Sequence, residues 1–167
     1  MDFEHEVTTL AGSEALRALL RELCDLTGMG FAAVARVTEH RWVACQVVDG
    51  IEFGLEPGGE LEIKTTICDE IRQSGEPVYI DCVSDAPMWR THPIPILYGF
   101  QSYVSVPVCR ADGSFFGTLC AIDPAPHVVD TLELRAAVDA IARRVVECLD
   151  RELTAASEGS GAPERVA

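Results

Sequence analysis

Between Ser102 and Ile122, two strand-forming runs flank the tetrapeptide Arg110-Ala111-Asp112-Gly113. Ser102–Val108 alternates valine with other residues, Ser114–Ile122 is rich in apolar residues, and Asp-Gly is a strong hairpin signal because both residues tolerate positive φ. A tight turn commits its strands to antiparallel pairing. Phe31–Val37 and Arg41–Val48, joined by Thr38-Glu39-His40, form a second such pair, and Pro77–Cys82 reads as a further strand. The chain is therefore expected to fold around a mainly antiparallel sheet.

Helical periodicity brackets these strands. Leu16, Leu19, Leu20, Leu23 and Leu26 recur at helical spacing behind the cap residue Ser13, and Thr27-Gly28-Met29-Gly30 ends the run, so a helix is predicted over 13–27. Residues 2–10 read as its N-terminal extension. A short helix is predicted from Thr65 or Thr66 through Ser74, stopped by Gly75. A long one is predicted over 129–153 with two apolar rows. Leu134, Val138, Ile141, Val145 and Cys148 form one, and Ala142, Val146, Leu149 and Leu153 the other. One row covers the sheet. The second either belongs to a single wide buried face or meets a second subunit, which makes Leu134, Val138, Ile141, Val145, Val146 and Leu149 the candidate dimer interface. After Leu153 the small polar residues predict a disordered tail over 154–167.

The fold class is therefore α+β: terminal helices on one face of the sheet, and short helices and loops over the other. With 167 residues the chain accommodates one domain, taken as 13–153 behind an N-terminal extension 1–12.

Several function classes are disfavoured. Lys and Arg number 13 against 27 Asp and Glu, a net charge of −14 with no basic stripe, which argues against nucleic acid as a partner. No apolar run is long enough for a membrane span, and the acidic N-terminus is unlike a signal peptide, so a cytoplasmic location is the expectation. The seven cysteines are widely spaced with no C-x-x-C, which reads as reduced core thiols. No two histidines have metal-ligand spacing, so no metal is expected. Gly28-Met29-Gly30-Phe31-Ala32-Ala33 matches the loose dinucleotide pattern, but a helix precedes it and a strand follows, the reverse of what phosphate binding needs.

The segment 83–101 is irregular, with three prolines, and long loops inside compact domains are commonly functional. Trp89, Tyr98, Phe100 and Tyr103 crowd here in a chain that is only 7% aromatic. They either line a pocket or form a small core that tethers the loop. His92 either points into that pocket or bonds a backbone carbonyl. Strand alternation places Tyr103, Ser105 and Pro107 on one face, and the small Ser105 there suits a cavity. Trp89, His92, Tyr98, Phe100, Tyr103 and Ser105 are the candidate ligand-binding residues, with no catalytic set.

Gly99-Phe100-Gln101-Ser102-Tyr103-Val104-Ser105-Val106-Pro107-Val108, followed by Gly113-Ser114-Phe115-Phe116-Gly117-Thr118-Leu119-Cys120-Ala121-Ile122-Asp123-Pro124, resembles the C-terminal hairpin of bacterial GAF sensory domains. Glu76-Pro77-Val78-Tyr79-Ile80-Asp81 resembles that family's G-x-P-x-x-I-x-D strand. The resemblance implies a GAF-like, PAS-related central sheet of about six strands. The sixth is sought at Leu61-Glu62-Ile63. It also implies a small-molecule pocket, a homodimer through terminal helices, and a signalling output domain or partner protein such as a histidine kinase of a two-component system. On this resemblance the chain is a non-catalytic, small-molecule-sensing regulatory domain whose ligand is open.

Subfamily marks are mostly missing. The N-K-x-F-D-E-type motif of cyclic-nucleotide members is impossible in a chain without asparagine. Where bilin-attaching members carry Cys-His, this chain reads Thr91-His92, so a tetrapyrrole is an alternative cofactor and not the favoured one. Free-methionine-sulfoxide reductases, GAF-fold enzymes with clustered cysteines, are a further alternative, and a pure dimerisation scaffold is another. Fourteen residues follow Leu153, so an output domain is expected either in a longer protein or in a separate partner.

Overall fold

The computed structural model describes residues 2–161. Its centre is a six-stranded sheet of order β3-β2-β1-β6-β5-β4, with every neighbouring pair antiparallel. The strands are β1 (Phe31–Val37), β2 (Trp42–Asp49), β3 (Glu60–Leu61), β4 (Val78–Ile80), β5 (Ser102–Cys109) and β6 (Phe115–Asp123). Both expected hairpins form, β1 with β2 and β5 with β6. The sixth strand is Glu60–Leu61, pairing Leu61 with Trp42, and only its second residue lies in the expected tripeptide.

At Gly117 the strands β1 and β6 approach so closely that an added Cβ would lie 1.7 Å from the Ala35 carbonyl oxygen. Only glycine fits there, which gives the hairpin motif's glycine its physical reason. A register shift between Val34 and Ala35 changes the phase of β2. Trp42, Ala44 and Val47 therefore face one side, while Val43 and Cys45 face the other.

One face of the sheet is covered by α1 (Phe3–Ala11), α2 (Glu14–Thr27) and α5 (Leu132–Gly161). Ser13 caps α2, its hydroxyl accepting from Leu16 N–H at 3.1 Å, and Gly28 ends it at φ 77°. Residues 3–11 form a separate helix rather than an extension of α2, because the chain turns at Gly12. The buried side-chain amide of Gln46 donates to the Ala11 carbonyl at the break and reaches the neighbouring Leu10 and Ser13 carbonyls as well.

The long helix departs from expectation in two ways. It begins at Leu132, where the Thr131 hydroxyl accepts from Leu134 N–H, rather than at 129. It also continues beyond Leu153 to Gly161, where the small polar sequence predicted a disordered tail. Leu153 is buried, and Ala155 and Ala156 are strong helix formers. The rest of that expected tail, 162–167, lies outside the described residues.

Its two apolar rows are, finally, one wide buried face. Val138, Ile141, Val145 and Leu149 are buried with Leu16, Leu20 and Leu23 of α2 and with Phe116 and Leu119 of the sheet, and Leu134 and Val146 pack against the same cluster. The six residues expected at a dimer interface are thus engaged within the chain, because α1 and α2 supply the cover assigned to a second copy.

The opposite face carries α3 (Cys68–Ser74), α4 (Pro93–Tyr98) and the loop 50–59. Thr65 and Thr66 do not cap α3. Their hydroxyls donate back to Glu62 and Ile63 carbonyls, closing a 3-10 turn at Ile63–Thr65, and α3 starts after Ile67 without a side-chain cap. Pro93 at the first turn of α4 loses no hydrogen bond, since that N–H would be unpaired in any case. Among the described residues no helix is long and apolar enough to cross a membrane.

Candidate functional site

Small residues on the open face of the sheet (Ala33, Ala35, Ala44 and Cys120) leave room beneath α3 and α4. Larger residues wall that room. Phe31 pairs across the sheet with Ile122, and Phe53 from the loop lies over Phe31 with ring centroids 4.9 Å apart. The result is a cavity of about 50 Å³, lined mostly by apolar and aromatic groups. Drug-sized ligands occupy pockets of roughly 300–1,000 Å³. The face is therefore largely filled by the protein's own side chains.

Of the six expected ligand residues, Tyr98, Phe100 and Tyr103 line this cavity. Phe100 stacks on Tyr103 at 5.1 Å, so one ring from the irregular segment rests on one from the sheet. Ser105 is fully buried on the same face, deeper than the lining, with its hydroxyl 3.9 Å from Cys68 Sγ. Trp89 and His92 are not in the cavity. They pack on each other at 4.9 Å, and the half-buried Trp89 rests against the apolar cluster that surrounds the cavity. His92 Nδ1 accepts from Ile94 N–H and its Nε2 meets Glu70 at 3.2 Å, so its role is to cap α4 and tie it to α3. That local bond to the backbone, with the Glu70 contact, fixes the ring.

Sequence reasoning missed Phe31, Trp42, Phe53, Ile67, Cys68 and Cys120 as lining residues. Alternation along β1 and β6 carries a signal for Phe31 and Cys120. For Phe53 the signal is absent, because its position depends on loop closure. The Asp49 carboxylate accepts from Ile51, Phe53 and Gly54 N–H and holds that loop over the sheet. Burial alone would raise its pKa, but these donors, with Leu55 N–H, outweigh burial and hold it below the ordinary carboxylate range.

The cavity has an outer neighbour. A groove of about 410 Å³ runs between the 51–55 loop and the end of α4, sharing Phe53, Leu55, Leu61, Tyr98, Phe100 and Ile122 with the inner space. Phe53 and Tyr98, with centroids 5.7 Å apart, stand between the two. Tyr98 is pinned by a 2.7 Å hydrogen bond between its hydroxyl and that of Thr65. Ile96 and Leu97 on the outer side of α4 are 68% and 62% exposed, so the roof is a thin single layer.

Polar clamps connect this roof to α5. Val83 N–H donates to the Gln101 carbonyl, and Gln101 N–H donates to the Asp123 carbonyl at the end of β6. The Asp123 side chain accepts from Gly30 and Ala125 N–H, both at 2.8 Å. Asp81, following β4, accepts from Val129 and Asp130 N–H, again at 2.8 Å. The strap 124–131 leading into α5 is thus held by two carboxylates next to the cavity rim.

The comparisons agree with this architecture. A family model described as GAF domain matches residues 12–149. No curated protein matches. Among solved structures, the blue-light absorbing form of the Thermosynechococcus elongatus PixJ GAF domain is similar with TM-score 0.68 and 12% identity, covering 98% of each chain. The chromophore-binding domain of the bacteriophytochrome RpBphP3 from R. palustris gives TM-score 0.67 at 13% identity over 90% of this chain, which spans 60% of that one. The GAF domain of an Acinetobacter phosphoenolpyruvate-protein phosphotransferase gives 0.63 at 12% identity, over 90% of this chain and 92% of that one. At these identities the likeness is one of fold.

Proposed function

This chain belongs to the GAF domain family, and from that premise we propose that it is a non-catalytic regulatory domain that senses a small, mainly apolar molecule on the α3–α4 face of its sheet. The observation that carries this reading is the pair of spaces separated by Phe53 and Tyr98. Inside is an apolar chamber too small for a drug-sized ligand. Outside is a groove that is not. Rotation of two rings joins them, and the hydroxyl pair Thr65–Tyr98 is the restraint to be broken. A ligand shifts such an equilibrium only by binding the open arrangement better than the closed one.

The signal then has a short route out. Displacing α4 moves Phe100 and Gln101, and through the Asp123 and Asp81 clamps it biases the start of α5. The receiver is a second copy of the chain, an output domain or a partner such as a histidine kinase. Any contact with α5 uses its outward face, since its apolar rows are occupied internally.

Two of the relatives above bear light-sensing names, which raises a tetrapyrrole as the ligand. The inner volume counts against it, as does Thr91 at the position beside His92.

Thermal denaturation of the full chain against a library of small apolar and aromatic molecules tests the reading. A ligand that raises the melting temperature, and whose effect is lost in Phe53→Ala, is the expected result. A library with no effect on either protein overturns it. A visible absorption band in the purified protein would instead identify a chromophore.

A further inference from the structure

Cys68 opens α3 and its buried thiol is where the polar groups beneath the cavity converge. The Thr118 hydroxyl lies 3.0 Å from its sulfur, the Tyr103 hydroxyl 3.7 Å and the Ser105 hydroxyl 3.9 Å. Cys120, two residues along β6 from Thr118 and paired with Ser105 across β5, lines the same cavity as Cys68, and its thiol donates to the Ala33 carbonyl at 3.7 Å. A fifth group has no other use. The Trp42 indole N–H, on a ring that lines the same cavity as Cys68, is buried without a hydrogen-bond partner. A buried donor left unpaired costs about 1–3 kcal/mol and calls for an explanation. A neutral thiol is a weak acceptor, whereas a thiolate accepts strongly. The three hydroxyls around Cys68 can all donate to a negatively charged sulfur.

The buried Cys45 and the half-buried Cys24 lack such a setting. Burial pushes Cys45 up to about 12 and Cys24 up to about 11. At Cys68 the neighbouring Cys120 thiol has the largest influence. Burial opposes it, and Thr118, Trp42 and Tyr103 join it, so the net direction is downward while Cys120 is pushed up.

We propose that Cys68 is a reactive thiol oxidised by small hydroperoxides, with Cys120 as its resolving partner. The Cys68 thiolate attacks one oxygen of hydrogen peroxide. A sulfur–oxygen bond forms, the oxygen–oxygen bond breaks, and the departing hydroxide takes a proton and leaves as water. Cys68 is then a sulfenic acid. The Cys120 sulfur attacks it, the sulfur–oxygen bond breaks, and a second water leaves with the Cys120 proton. The sum is one peroxide and two thiols giving one disulfide and two waters. It is a stoichiometric modification and not a turnover.

The cavity selects the oxidant. About 50 Å³ admits a molecule of a few atoms and excludes a bulky disulfide such as oxidised glutathione. Forming a sulfur–sulfur bond of about 2 Å draws α3 onto β6 and fixes it there. The inference does not depend on a separate ligand in the cavity, so its failure and that of the sensory reading are distinguishable.

The test treats the reduced full chain with hydrogen peroxide, blocks remaining thiols under denaturing conditions, and maps peptides without reduction. The expected product is a Cys68–Cys120 cross-link, with a dimedone adduct on Cys68 when Cys120→Ser is treated instead. Thr118→Val keeps both thiols and the side-chain volume, and is expected to slow Cys68 oxidation about tenfold at neutral pH and shift its pH midpoint upward. Recovery of Cys68 and Cys120 as free thiols while the exposed Cys109 oxidises overturns the proposal. So does a Thr118→Val protein, folded by circular dichroism, that oxidises at the unaltered rate and pH midpoint.

Discussion

The backbone at Gly117 leaves no space for any side chain. An alanine there would bring its Cβ 1.7 Å from the Ala35 carbonyl oxygen and 3.0 Å from the Val37 nitrogen, both rigid backbone atoms. The neighbours cannot rotate away, so β1 and β6 must separate at the centre of the sheet. Gly117→Ala is expected to cost at least about 3 kcal/mol, at the upper end of overpacking penalties. The readout is a lower urea midpoint with an unchanged slope. Asp49 makes a different prediction, through pH. Its folded pKa lies below its unfolded value because loop N–H groups bind the carboxylate. The stability it contributes is therefore present above the unfolded value, about 3.9, and is lost as pH falls through the folded one. Asp49→Asn is expected to melt lower at neutral pH and to lose less on acidification below about pH 4. Melting curves of the two proteins across that range check it, and equal acid sensitivity would count against the loop contacts.

At the scale of elements, α5 shows why a periodic pattern predicts a helix better than it predicts that helix's partner. The two apolar rows of 129–153 were legible, yet they are equally consistent with one broad intramolecular face and with a dimer seam. The choice depends on α1, whose separate packing follows from Gly12 and from the Gln46 side chain, a contact between residues more than thirty apart. The hairpins and the caps at Ser13, Gly28 and Gly75 depend on near neighbours and could be read directly. His92 could not, because its two nitrogens are committed to Ile94 and to Glu70 on another element. The internal placement of α5 predicts that Val145→Glu, which puts a charge into a fully buried position, abolishes cooperative melting, where a pure interface change would leave a folded monomer. Arg143→Glu, exposed on the same helix, is expected to stay within about 0.5 kcal/mol. The strap before α5 has its own test. Asp81→Ala removes two hydrogen bonds to a carboxylate, worth roughly 2–4 kcal/mol together after relaxation. Amide exchange at Val129 and Asp130 is expected to accelerate while that of Leu119, in the sheet centre, keeps pace with global unfolding.

For the molecule as a whole, the two sides of the sheet differ in what they can give up. The α1–α2–α5 side is a continuous core, and its disruption unfolds the domain. The α3–α4 side holds a cavity roofed by a six-residue helix, two polar ties and an aromatic pair. Motion is therefore cheapest there, next to the clamps that hold the strap into α5. Phe100 is the place to separate packing from function, since it fills the chamber from the roof side and stacks on Tyr103. Truncation to alanine removes a nearly fully buried ring, at a cost of about 3–5 kcal/mol if the roof does not collapse. A vacated apolar chamber that stays dry can bind a small apolar molecule. Phe100→Ala is thus expected to melt well below the unaltered chain and to recover part of that loss with an aromatic probe such as indole, a larger rise than the same probe gives the unaltered chain. The recovery should grow with the logarithm of probe concentration, as binding to the folded state alone requires. If the variant loses stability and no probe restores it, the roof has closed onto the sheet, and α4 is mobile enough to refill the chamber without a ligand.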